Sequence, residues 1–265
     1  MKTFKINRFW KVFTRLLLVR RREMTKWFLT MSGIMLFILL VSAHVWDFSP
    51  YTKTELFSHY LPPLTPIASI LLILTLNFGC YITHDLEKKQ ARISELMLPG
   101  SRLEKYIARI IYCSVVFMII VVLALGCADF LQQSITMIVH RGVRVSIIGI
   151  YYDEFSRNND IWTLLFIYPF INSVAILGGV IFRKAAWLKT WIAVGIIMTI
   201  ALFVIFLFIT YIYTKTNYEI YSPFSKEQLK AIVDVILVVV SFVLYWLAYK
   251  IYNKMQVINN RWVNL

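Results

Sequence analysis

Apolar residues in this chain come in long runs, not in the alternating or narrow-stripe patterns of a water-soluble fold. Six runs approach or exceed the roughly 20 residues a helix needs to cross the hydrocarbon of a bilayer. They cover about 27–46, 66–84, 106–128, 161–182, 190–213 and 229–252. The first has Trp27 and Trp46 near its ends, where an aromatic belt forms. The second opens at Thr65-Pro66, an N-cap residue with proline at the first helical position. The pattern predicts an all-α membrane protein of six transmembrane helices over 27–253, with no internal repeat.

Local signals punctuate the runs. Leu86, Ile93 and Met97 recur at helical spacing, and Asp85 precedes Lys89 by four residues, so the second helix is expected to continue past the membrane. Pro99-Gly100 stops it. Ser101-Arg102-Leu103-Glu104 then reads as a capping box that starts the third helix, and Ser225-Lys226-Glu227-Gln228 as a second one opening the last. The longest connection, 129–160, contains Val143 to Tyr152, a stretch rich in β-branched and aromatic residues that suits a short strand or a segment lying at the interface. Asp160 is the expected N-cap of the fourth helix, and Pro169 its expected kink.

Charge adds orientation. The positive-inside rule counts Lys and Arg in the loops flanking the spans. Residues 1–26, the 88–109 connection, the 183–189 turn and the tail from Lys250 hold 21 of the 28 basic residues; the alternate loops hold 7. Both termini are therefore expected in the cytoplasm and the protein in the plasma membrane. Segment 1–26 interleaves Phe4, Phe9, Trp10, Phe13, Leu16 and Leu17 with Lys5, Arg8, Lys11 and Arg15. That pattern suits an amphipathic helix lying in the interface against anionic headgroups, or a plain basic flank. With so long a polar segment before it, the first apolar run reads as a retained span, not a cleaved signal. Residues 254–265 form a tail.

Composition agrees: 59% of the 265 residues are apolar, too many for a single soluble core. The net charge of +14 sits between apolar runs and not on a soluble module, which excludes a nucleic-acid partner. Cys80, Cys113 and Cys127 all lie inside apolar runs without C-x-x-C spacing, so no disulfide framework or metal site is implied. No glycine precedes a lysine, so the chain has no phosphate-cradling P-loop, and neither H-E-x-x-H nor G-x-S-x-G occurs. No catalytic, cofactor or metal residue is assigned, and the chain is not expected to be an enzyme. Within the runs, Asn77, Asn172 and Asp234 are polar. They are candidates for a polar lining, or for interhelical hydrogen bonds and, at Asp234, an ion pair with Lys230. Ala175-x-x-x-Gly179 permits close helix approach.

The most informative segment is Glu95-Leu96-Met97-Leu98-Pro99-Gly100-Ser101, followed by Arg102-Leu103-Glu104-Lys105. It offers an apolar knob, a break and a new helix, suited to a groove on a soluble partner or to a capped hairpin resting on the bilayer. It resembles the first cytoplasmic loop of type-2 (exporter-type) ABC-transporter permeases: a glutamate, several leucines, a proline, a small residue, then a basic and an acidic residue before the third span. Six spans, cytoplasmic ends and a basic amphipathic segment before the first span resemble that family too. The resemblance implies a permease half that pairs with a second permease chain and is driven by a separate ATP-binding subunit, residues 95–101 forming the ATPase-coupling loop. One departure is that the longer outer connection lies between spans three and four, and not before the last. A multi-pass scaffold or sensor, contacting a partner through 129–160, is the alternative.

Overall fold

The computed structural model describes residues 4–46, scattered positions from 52 to 74, then 77–87, 89–140, 142, 145–157, 161–182, 184–216 and 225–254. It is about 90% helical, with no strand among the described residues. The helices are α1 (Ile6–Ser42), α2 (Lys89–Met97), α3 (Arg102–Ile111), α4 (Phe117–Val139), α5 (Ile147–Arg157), α6 (Ile161–Ile181), α7 (Ala186–Thr216) and α8 (Lys226–Lys254). A 3-10 segment, Cys80–Glu87, precedes α2.

Among the described residues, four helical stretches are long and apolar enough to cross a membrane: Ile6–Ser42, Arg102–Val139, Ala186–Ile212 and Gln228–Lys254. The apolar part of α6 among the described residues, Phe166–Ile181, is shorter. The expected helix start at Thr65-Pro66, the cap at Asp160 and the tail beyond residue 254 lie outside the described residues.

The chain divides into two compact units, one of residues 1–78 and 99–164, the other of 79–98 and 165–265. In the first, α1 packs along α3 and α4. Met31, Met35 and Leu39 on α1 are buried at four-residue spacing, as are Phe117, Val121, Ala124 and Ala128 on α4 at spacings of three and four. Each set forms one helical stripe, the pattern that hides an apolar face against a neighbour. Phe78 stacks on Phe117 with ring centroids 3.6 Å apart, and Trp27 meets both rings edge-on.

In the second unit, small residues set the spacing. A Cβ built on Gly179 would lie 2.6 Å from the Cys80 carbonyl oxygen, and one on Gly79 would lie 2.5 Å from Ala175 Cβ. The Ala175/Gly179 face of α6 thus admits backbone-close approach. Thr83 Oγ1 donates to the Gly179 carbonyl at 2.6 Å, which satisfies a hydroxyl that hydrocarbon would leave without a partner.

The described helices differ from the expectations only in part. Residues 1–26 are not a helix separate from the first span: α1 runs unbroken across residue 26. No glycine or proline lies between Ile6 and Ser32, so nothing in the chain stops the helix at the membrane edge. Helical character does continue past the second apolar run, first as the 3-10 segment and then as α2. The helical stretch that holds the expected third span reaches Val139, through a π turn at Tyr112–Val116. The stretch 143–152 holds no strand among its described residues; Ile147–Arg157 is α-helical. The helix that holds the expected fifth span is α7, Ala186–Thr216. Pro169 lies inside α6, where it was expected.

Candidate functional site

The segment 95–105 is shared between the two units, and each part is built differently. In the first unit, Ser101 is the N-cap of α3. Its hydroxyl accepts from the Glu104 N–H at 3.2 Å, and Glu104 Oε2 accepts from the Ser101 N–H at 2.9 Å. The capping box is therefore complete in both directions.

Glu104 does more than its box requires. Its other oxygen, Oε1, accepts from the Lys5 backbone N–H at 2.8 Å and from Arg8 Nη2 at 2.8 Å. Lys5 is the N-cap of α1, a position where its own side chain makes no capping bond. One fully buried carboxylate thus closes the starts of two helices, where free N–H groups and the helix dipole favour negative charge. The helical stretch Arg102–Val139 has 38 residues. At 1.5 Å per residue it measures about 57 Å, nearly twice the roughly 30 Å of hydrocarbon, so its ends project. Glu104 precedes the apolar part. Burial alone raises the pKa of such a carboxyl; the N–H groups of Lys5 and Ser101 and the Arg8 guanidinium outweigh it and hold Glu104 below the usual carboxylate value.

Gly100 has no positive φ, and a Cβ there would make contacts of 3.4 Å or more, so glycine is not sterically required. Pro99 is exposed.

In the second unit, α2 carries Glu95, Leu96 and Met97, and Leu98 follows in a bend. Met97 is 80% exposed, an apolar side chain standing free at a helix end, while Leu98 is half-buried. The side chain of Leu96 lies outside the described residues. Glu95 Oε1 accepts from the Tyr252 hydroxyl of α8 at 3.4 Å.

The three candidate polar residues fall in both units. Asn77 belongs to the first unit; Asn172 and Asp234 belong to the second. Asn172 is buried on α6, and its Oδ1 accepts from the Tyr245 hydroxyl of α8 at 3.0 Å. Asp234 lies eleven residues before Tyr245 on α8, about 16 Å along the axis. Its Oδ1 is buried without a hydrogen-bond partner.

Other buried polar residues escaped the sequence reading. On α4, Asp129 accepts from the Ile147 N–H and the Ser146 hydroxyl, both at 2.8 Å, and from Gln133 Nε2 at 2.9 Å. His140 Nε2 meets the Ala43 carbonyl at 3.0 Å and donates to it. Gln132 and Thr136 lie on the same buried face. The signal was present: residues 129, 132, 136 and 140 recur at helical spacing.

A helical, multi-pass membrane protein is the class these observations define. No family model matches the chain, no curated protein matches it, and no solved structure matches it.

Proposed function

We propose that the chain is the transmembrane subunit of an ABC-type exporter, driven by a separate ATP-binding subunit and paired with a second permease chain in the plasma membrane. Six spans with both termini in the cytoplasm complete the reading; the three-to-one bias of Lys and Arg between alternate loops supports it. In that topology 89–105 faces the cytoplasm, where the ATPase works. The observation that carries the reading is Met97. A large flexible apolar side chain is 80% exposed at the end of a short helix, directly before the Leu-Pro-Gly break and the capping box. Such a side chain suits a hydrophobic groove on a soluble partner.

The test is affinity purification of the tagged full-length chain in mild detergent. An ATP-hydrolysing subunit is expected to accompany the wild type and to be lost from Met97→Asp, whose fold should be intact because the side chain touches little. A wild-type chain that carries no ATPase ends this reading.

A scaffold or sensor role has one observation in its favour. The connection after α4 contains an ordered helix, α5, anchored by a buried carboxylate. Under that reading, substitutions in α5 abolish function and Met97→Asp does not.

A further inference from the structure

Four polar side chains of the last helix, Asp234, Ser241, Tyr245 and Tyr252, fall in one line. Five α-helical turns take about 18 residues, so Asp234 and Tyr252 share one angular position, with Ser241 and Tyr245 within about 20° of it. The opposite faces are apolar and exposed, as Val235, Ile236, Val239, Phe242 and Trp246 show. Along the line Ser241 and Tyr252 are buried, as is Ala248 beside them. Two hydroxyls on it reach other elements: Tyr245 bonds Asn172 on α6, and Tyr252 bonds Glu95 on α2. The helix therefore touches the buried amide of α6 and the carboxylate of α2 with the same face, two turns apart.

We infer that Tyr252 is a positioning residue that transmits the placement of α2 to α8, and through that face to the contact at Asn172. A rigid helix cannot shift or rotate at Tyr252 without moving Ser241 and Tyr245, because all three project on the same side. Tyr252 is suited to the task. Its ring is buried, so it fixes position, and its hydroxyl donates to Glu95 Oε1 across a long 3.4 Å, a contact that depends on where Glu95 stands. The inference rests on the permease reading only for what displaces α2, which under that reading is the ATPase.

The experiment uses the full-length chain in nanodiscs, with its three cysteines replaced and a reporter cysteine placed at Ser241→Cys, on the line, or at Ile236→Cys, on the exposed face. The probe is N-ethylmaleimide, and the readout is labelling rate. Tyr252→Phe keeps the ring and deletes only the donor. It is expected to raise labelling at position 241 about three- to tenfold, the scale of one lost hydrogen bond, with position 236 and the elution profile unchanged. Glu95→Ala should do the same. An unchanged rate at 241, or equal increases at both reporters, overturns the inference, the second because general loosening moves both. These outcomes are separable from the permease reading. ATPase bound to the wild type with an unaltered 241 rate sinks only this inference, and a selective 241 response without any ATPase sinks only the permease.

Discussion

Asp129 Oδ1 accepts the Ile147 backbone N–H at 2.8 Å, so a carboxylate on α4 caps a helix that begins 18 residues later. The same side chain holds Ser146 through its second oxygen. Asp129→Ala is expected to loosen α5 at a cost of about 1–3 kcal/mol, since it leaves a helix start without its acceptor. Hydrogen exchange at residues 147–152 is the measurement. Faster exchange there, with α1 amides unaltered, is the expected result.

Glu104→Ala removes the acceptor for two helix starts and the partner of Arg8. A loss of about 2 kcal/mol or more is expected, seen as a fall of about 5 °C in the unfolding midpoint of the detergent-solubilised protein. Glu104→Gln keeps an acceptor oxygen for Lys5 and should lose less.

The same group gives a pH dependence. Its folded-state pKa lies below the usual carboxylate value of 4.5, so the unfolded chain binds its proton first as pH falls. The stabilisation from its charge is fully present above that usual value and disappears as pH drops through the folded value. Midpoints of the wild type and Glu104→Gln should differ by a constant amount near neutrality and converge in acid. A difference that grows in acid contradicts the assignment.

Two glycines make opposite predictions. Gly179→Ala pushes a Cβ to within 2.6–2.9 Å of Cys80 backbone atoms and should destabilise by about 1–3 kcal/mol. Gly195→Ala in α7 meets nothing within 4 Å and should be neutral or stabilising by up to about 1 kcal/mol. Thermal unfolding of both variants side by side decides it.

What the sequence made legible follows from distance along the chain. Both capping boxes are three-residue relationships, and both are present, the second with Ser225 and Gln228 bonded reciprocally. The long helices were equally legible because apolar runs are local. The second duty of Glu104 was not, because Lys5 lies 99 residues away. The β-branched stretch around Val145 and Ile147 suggested a strand as readily as an interfacial segment; a cap from Asp129 on another helix tips such a stretch to helix. In segment 95–101, the knob at Met97 could be read from composition and the break, whereas the bond between Glu95 and Tyr252 spans 157 residues and left no local trace. The ladder on α8 was available as a period of polar residues, but in an apolar run single tyrosines and serines carry little weight.

The closure at Lys5 also bears on how the protein is made. The first helix emerges from the ribosome with its leading turn unfinished, and the carboxylate that completes it is not synthesised until 99 residues later. In a cell adding about 5–20 residues per second, that start waits for seconds while the following apolar runs enter the bilayer. Assembly of this part of the chain is therefore complete only when the leading turn of α1 is sealed by a late arrival.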